Sequence, residues 1–488
     1  MDVVIVGAGI GGLGAALMLG KSGHRVTLLE RDPAPPDDAD EAWETWERRG
    51  VPQLRLAHVF LGRMRNMIRD DHPDLWQALH DAGANEITWQ ESLPVTIEDR
   101  SPRPADADLA MLGMRRPVFE QHVRRAAVAT GNVEIRPNSA VKQLVTGTPM
   151  KDGIPHVTGV ELEDGSTIDA DLVVDCGGRR SPLPAWLEAI GADPMPEEEV
   201  EDGLMYFGRY YKLEDGQSYP EIPGGPIVDL GFLMGLTFRA DRGWFAVALA
   251  VHNEDKEIRA LRDEDAFEAA LQAIPGIARW RTPGLSRPMT EVRTMSRIDD
   301  RWRDFVVDGR PLATGLVPLG DSLVATNPAL GRGSSLAWVA AGELAQILGD
   351  ASDPVDIVIR YDDAIRREIR PWYEQTAQMD AQRVEHMRRI LNGEPDPPLD
   401  ESDPMTTFTT GFVLGSQVDP DVSRAFGHVA HVLKQPIELL ADADVAAKVI
   451  DAWERRAEIT ASVTASGNPT REQLLAAMAS AGSPAAAG

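Results

Sequence analysis

Cysteine is nearly absent: Cys176 is the one thiol in 488 residues. That excludes an intrachain disulfide and a thiolate metal cluster, and nothing in the composition points to an oxidising compartment. Its surroundings, Val173-Val174-Asp175-Cys176-Gly177-Gly178, read as a buried strand end with no basic neighbour to activate a nucleophile. Positive charge is scarce too. The chain sets 49 Lys and Arg against 77 Asp and Glu, a formal charge of −28, and such a surface repels phosphate backbones and anionic lipid. Neither nucleic acid nor stable membrane insertion is expected. No uncharged apolar run approaches the ~18 residues that span a bilayer. The apolar N-terminal stretch is no exception, because Asp2 stands where a leader would be positive and five glycines fall between Gly7 and Gly14. The expectation is a cytoplasmic protein. The ten histidines are scattered without a metal-ligand spacing, so no metal site is expected. Gly333-Ser334-Ser335 lacks the strand-to-helix elbow of a hydrolase nucleophile.

What is present is a globular composition, 43% hydrophobic and 26% charged, in a chain long enough for two or three domains. Val3 to Val6 is a β-branched run, Leu13 to Leu19 is helix-forming, and Arg25 to Leu29 is a second strand, so the opening is a βαβ unit. Residues 33–50, rich in proline and acid, read as a solvent-exposed insertion. Helices are predicted over 57–83 and from Pro117 to Ala129, and Val160 to Val174 reads as a hairpin feeding a central strand. From Leu204 to Leu213 and from Ile227 to Val251 the pattern turns strand-like and aromatic, which implies a second sheet. A helix over 264–273, a strand from Gly315 to Leu319 and a helix from Ser334 to Leu348 follow. Residues 356–394 and 419–465 read as helical, with a break or kink at Pro371. From about Ser466 the chain is rich in Ala, Gly and Ser and reads as a frayed tail.

The chemistry sits in the glycines. Gly7-Ala8-Gly9-Ile10-Gly11-Gly12 matches G-x-G-x-x-G directly after a strand and at a helix start. Gly7 permits the tight turn, Gly9 lets a pyrophosphate approach the backbone, and Gly12 allows close helix–strand packing. The helix N-terminus offers free N–H groups to the phosphates. Glu30 closes the second strand, where a carboxylate accepts from a ribose diol. Further on, Asp171 to Ser181 is an apolar strand ending in acid and glycines. Gly315 to Leu336 then holds Gly320-Asp321-Ser322, Asn327-Pro328 and Gly331-Arg332-Gly333, a strand end presenting an acid before a glycine loop that opens a helix. That second helix N-terminus suits negative charge on a reduced flavin ring, and Asp321 suits a ribityl hydroxyl.

These three ordered motifs resemble the FAD-dependent monooxygenases of the p-hydroxybenzoate hydroxylase fold, and more closely the bacterial branch of polyketide epoxidases related to squalene epoxidase. The resemblance runs over roughly residues 1–465. Val51-Pro52-Gln53 with Arg55 and His58 resembles a segment on the cofactor's phosphate side, Arg116-Pro117-Val118-Phe119-Glu120 a helix start near FAD, and Gly243-Trp244-Phe245 a glycine–aromatic pair on a substrate-domain strand. The family usually has alanine at Ser322, an aromatic at Leu330, and Gln-Gly-Met in place of Arg332-Gly333-Ser334. An extra cation at Arg332 would shift the flavin potential or favour an anionic substrate.

The resulting reading is α/β (α+β overall): a Rossmann-like FAD-binding domain over 1–80, 106–184 and 290–350, an inserted antiparallel-sheet substrate domain over 81–105 and 185–289, a helical region over 351–465, and a flexible tail over 466–488. The expected cofactor residues are Gly7, Gly9, Gly11, Gly12, Glu30, Arg31, Gln53, Arg55, Arg116, Asp175, Gly320, Asp321, Gly331, Arg332 and Gly333. No acid–base side chain stands out. Arg209, Tyr211, Phe238 and Pro328 are candidates for the substrate cavity, with Arg209, Phe207 and Tyr211 sharing one strand face. The resemblance implies FAD, reduced by NAD(P)H directly or through a separate flavin reductase. It also implies O2, and transfer of one oxygen atom to an apolar or aromatic small molecule through a flavin hydroperoxide, by hydroxylation or epoxidation. A flavin-dependent halogenase, an isoprenoid double-bond reductase and a non-catalytic FAD-binding protein remain open alternatives, although the W-x-W-x-I-P segment of related halogenases is absent.

Overall fold

The computed structural model describes residues 1–150, 153–201, 203–296, 298–463 and 467–481. A five-stranded parallel sheet forms the centre of the first domain. Its order is Leu316–Pro318, Leu172–Asp175, Asp2–Val6, Arg25–Leu29 and Val133–Arg136. Val3, Val4 and Ile5 are buried on both faces, as a strand between crossover helices requires. Helix Ile10–Lys21 packs on helices Arg116–Ala129 and Gly333–Ile347. The strand 316–318 is added only after the chain has built a second sheet, so the first domain is completed from both ends of the sequence.

The second sheet is antiparallel, in the order Ile227–Asp229, Leu233–Arg239, Trp244–His252, Leu204–Leu213 and Ser286–Pro288, with Arg293–Ser296 also paired to 204–213. Nine of the ten residues of 204–213 are buried, Lys212 being the exception, because both faces of the sheet are covered. One face meets helix Glu264–Ala273 through Phe207, Tyr211, Phe245, Val247 and Leu249. The other turns toward the first domain and carries Leu204, Tyr206, Met234, Leu236, Ala248 and Ala250, packed with Ala329 and with Met387 of helix Arg370–Asn392.

The helix break expected at Pro371 is there: helix Pro354–Glu368 ends, and 370–392 begins with Pro371 in its first turn. Two expectations are corrected. Residues 33–50 are not simply a solvated insertion, since Ala39–Thr45 is a helix and Trp43, Trp46 and Arg48 are buried. Within the expected tail, Arg471–Ala481 is a helix that buries Leu474 and Met478 against 264–273 and ties Arg471 to Asp255 and Glu257. An i, i+4 apolar pair is enough to dock an alanine-rich helix when a groove is waiting. Residues 482–488 lie outside the described residues. Among the described residues no helix is long and apolar enough to cross a membrane.

Candidate cofactor and substrate site

The glycine turn is fixed by close approach. Gly7 has φ +101°, and a Cβ there would lie 2.4 Å from the Cys176 carbonyl oxygen; at Gly12 it would lie 1.9 Å from the Gly7 oxygen. Neither position can carry a side chain without moving backbone. Gly9 differs: a Cβ there would meet nothing nearer than Arg116 Nη2 at 3.8 Å. The space above Gly9 is open and faces a guanidinium. No side chain caps the helix that starts beyond Gly9, so its first N–H groups are available to an anion. Gly11 serves packing, with Ala337 and Leu319 each 3.2 Å from a Cβ built there.

Charge around this turn is dense. Glu30 accepts from Ala8 N–H at 2.9 Å and Asp32 N–H at 3.0 Å. Arg48 forks between Glu30 and Glu120, and Arg116 donates from Nε to Glu120 at 2.7 Å. Burial would push the Glu120 carboxyl up, but Arg48 and Arg116 hold it below its ordinary range. Arg116 also donates from Nη1 to His58 Nε2 at 3.3 Å, while His58 Nδ1–H donates to the Leu56 oxygen at 2.9 Å. Burial and the adjacent Arg116 lower the His58 pKa to about 4, so the ring is neutral and this tautomer follows.

Arg48 and Arg124 are the residues the sequence reading missed. Among the described residues, Arg48 Nε and Arg124 Nε and Nη2 make no hydrogen bond although shielded from solvent. Buried donors left without a partner in the ion network beside the glycine turn fit a ligand with phosphates and hydroxyls, and FAD is such a ligand. The row Arg116, Glu120, Arg124, spaced one helical turn apart, was the signal available for Arg124.

At the other end, the strand 316–318 runs into Gly320-Asp321-Ser322. Gly320 has φ +69° and Gly331 φ +66°, and Gly333 lies beside Asp321, whose Oδ1 is 3.8 Å from a Cβ built there. Pro328 is exposed at the tip of the loop, and Ala329 beneath it packs on the second sheet. Phe238 is half-buried against the same cluster. Arg31 is exposed and Gln53 half-buried.

Five expected site residues are placed otherwise. Arg209 and Tyr211 point away from the first domain: Arg209 pairs with Glu264 at 2.6 Å and Glu268 at 3.0 Å, and Tyr211 donates to Glu268 at 2.8 Å while stacking on Phe245. The facing was one residue out of phase, and Tyr206, Gly208 and Tyr210 hold the inner face. Arg55 spends its guanidinium on Trp43 O, Trp46 O and Glu47, which clamps the 39–47 segment. Asp175 is fully buried and accepts from Gly177 N–H and Ser181, while its own carbonyl accepts from Ser322. It joins two turns rather than facing the cleft. Arg332 folds back against helix 370–392, where Nη1 donates to Thr376 at 2.9 Å and the guanidinium lies 5.2 Å from the Trp372 ring. Burial lowers its pKa to about 10. Two surface clefts of about 430 and 830 Å³ lie by Asn253, away from Gly9 and Asp321, and are not this site.

The comparisons agree with this architecture. A family described as FAD dependent oxidoreductase matches residues 2–347. Protein Rv3254 of Mycobacterium tuberculosis is 28% identical over 371 residues, 71% of this chain and 72% of that protein. Among solved structures, PqsL of Pseudomonas aeruginosa in complex with 2-aminobenzoylacetate (TM-score 0.55, 18% identity) covers 80% of this chain and 98% of its own. The flavin-dependent brominase Bmp2 (TM-score 0.59, 15% identity) covers 94% and 100%. OxyS anhydrotetracycline hydroxylase from Streptomyces rimosus (TM-score 0.54, 18% identity) covers 89% and 77%. The fold is therefore that of p-hydroxybenzoate hydroxylase-type flavoproteins, and the chain belongs to the FAD-dependent oxidoreductases.

Proposed function

We propose that this oxidoreductase is an FAD-dependent monooxygenase that places one oxygen atom from O2 on a neutral, apolar or aromatic small molecule. The observation that carries the reading is the meeting of the 320–333 loop with an apolar sheet face, where Ala329 packs among Tyr206, Met234, Leu236 and Ala248. Such a face excludes water, and water at the reacting centre wastes activated oxygen as peroxide. Bound FAD, once reduced, supplies the activation of O2.

The protein's share is positioning. In this reading Gly9, Arg116 and the uncapped helix start hold the pyrophosphate, with Arg48 and Arg124 adding donors. Glu30 holds the ribose, with Arg31 and Gln53 at the rim. Gly320, Asp321, Gly331 and Gly333 line the flavin side, and Phe238 and Pro328 border the substrate. An anionic substrate is disfavoured, because Arg332 and Arg209 both turn away from the chamber to other partners. Hydroxylation and epoxidation both suit the chamber; the resemblance to polyketide epoxidases favours epoxidation. With one dinucleotide turn in the chain, NAD(P)H either visits transiently or reduces free flavin on a separate reductase, and its supply places the enzyme in the cytoplasm.

The test is the visible spectrum of the purified protein with NADPH added under air, together with oxygen uptake across an apolar substrate panel. Flavin bands that bleach and recover with product formation support the reading. Flavin that neither NADPH nor a supplied reductase reduces points to a non-catalytic protein. Product formation only with halide would move the reading to the brominase side, which Bmp2's similar fold makes worth including.

A further inference from the structure

The cofactor loop and the inner face of the second sheet meet at a hydrogen-bonded joint that the sequence motifs mark only at Asn327. Tyr206, on that face, donates its phenolic proton to Asn327 Oδ1 at 2.5 Å. The same oxygen accepts Ala329 N–H at 2.7 Å and so caps the 328–330 turn. Asn327 in turn donates its backbone N–H to Asp300 Oδ1 at 2.7 Å, and Asp300 opens the strand Asp300–Arg303. Asn327 and Asp300 are fully buried and Tyr206 is 5% exposed. Arg179 braces the base of the loop by donating from Nη2 to Thr326 O at 3.0 Å and from Nη1 to Asp299 O. Three distant segments are thereby tied at one point.

We propose that Tyr206, Asn327 and Asp300 form the coupling element through which occupancy of the sheet face sets the position of the cofactor loop. Tyr206 is the residue that senses the substrate, and Asp300 is a positioning residue that anchors the loop. The proposal rests on the reading of the chamber given above. The physical argument starts from the tyrosine ring, which is buried in one cluster with Met234, Leu236, Ala248 and Ala250, so that a ligand displacing this packing displaces the ring. A phenol is rigid beyond χ2, so a push on the ring displaces its hydroxyl. Asn327 keeps its Ala329 cap when the Tyr206 bond lengthens, which gives the loop a second arrangement without unfolding the turn. Asp300 gives the other side a fixed point: one oxygen holds Asn327, and the strand behind it is paired on both edges, to Glu197–Val200 and to Val324–Ala325.

The experiment is hydrogen exchange read by mass spectrometry on the FAD-loaded protein, comparing wild type with Tyr206→Phe, Asp300→Ala and Asp300→Asn. Tyr206→Phe keeps the ring and its packing, so FAD affinity should stay within about twofold while amides of 326–331 exchange at least tenfold faster. Asp300→Ala should loosen the same amides. Asp300→Asn, which keeps an acceptor for Asn327 N–H, should restore them. Peptides from helix 10–21 should not change in any variant. Wild-type exchange of the loop in Tyr206→Phe would overturn the coupling. Loosening spread into helix 10–21 would also overturn it, by making Tyr206 a general stability residue. A protein that holds no flavin fails the functional reading on absorbance alone, and exchange on the cofactor-free chain still decides the joint.

Discussion

Two buried ionic clusters flank the cleft and are balanced differently. At the glycine turn, Glu30, Asp32 and Glu120 face Arg48 and Arg116, and the carboxylates are gripped by guanidinium or backbone N–H groups. At the far end, Asp300 and Asp380 are as deeply buried, yet Arg332 gives its hydrogen bond to Thr376, and Asp380 is held on one oxygen by Arg383. Among the described residues, Asp300 Oδ2, Asp380 Oδ2 and Arg332 Nε make no hydrogen bond. Burial pushes Asp300 to about 6 and Asp380 to about 7, whereas Glu120 stays below the usual carboxylate range. A carboxylate gripped by two guanidiniums, as Glu120 is, keeps its charge near neutral pH and acts as a scaffold. An under-paired one changes its charge state across the pH range where enzymes work.

The sharpest way to break the contrast is at the scaffold end. Gly9→Val should fold, since a Cβ there meets open space, but its side chain would occupy the place of the pyrophosphate. We expect FAD affinity to fall by roughly ten-thousandfold, above about 5 kcal/mol, with the melting temperature of the cofactor-free chain nearly unchanged. Titration of the apoprotein with FAD, followed by flavin fluorescence, measures this; unchanged affinity would misplace the cofactor. Next in size is Glu120→Gln. It removes the charge that both Arg48 and Arg116 share and leaves two buried cations under-compensated, which should cost about 3–5 kcal/mol in urea unfolding. A loss under ~1 kcal/mol would mean that this network is no scaffold.

What the sequence revealed follows the same division. The glycine turn is legible because its rules are local and steric: Gly7 and Gly12 admit no Cβ, and Glu30 follows at the end of the next strand. The far end is assembled from Tyr206, Asp300, Asn327 and Asp380, which no short-range pattern connects. The second sheet was legible as a sheet, but its facing was not. In 204–213 nearly every residue is buried on both faces, so alternation carries no phase, and Arg209 resembles a cavity cation until Glu264 and Glu268 are found beside it. Arg332 stood out as an odd residue in a known loop, yet its direction depends on Trp372, Thr376 and Asp380 on a later helix. Proline and acid in 33–50 suggested solvent, and the better clue there was the pair Trp43 and Trp46.

The smallest expected effect tests the under-paired cluster. Asp380 is faced by Arg383 from its own helix, by Arg332 from the helix 333–347 cap, and by Asp300 from the strand, which Arg179 and Asp299 flank in turn. Its folded pKa of about 7 lies above the ~3.9 of an unfolded aspartate, so the folded chain binds the extra proton between those values. Its contribution to stability is therefore fully present below about pH 4 and is lost as pH rises toward 7. Asp380→Asn keeps the shape and cannot ionise. Relative to wild type, it should gain on the order of 1–3 kcal/mol between pH 5 and pH 8, visible as a melting-temperature difference that grows with pH. A constant offset at both pH values would show Asp380 ionised throughout and compensated by Arg332 and Arg383, which would make the two ends of the cleft electrostatically alike.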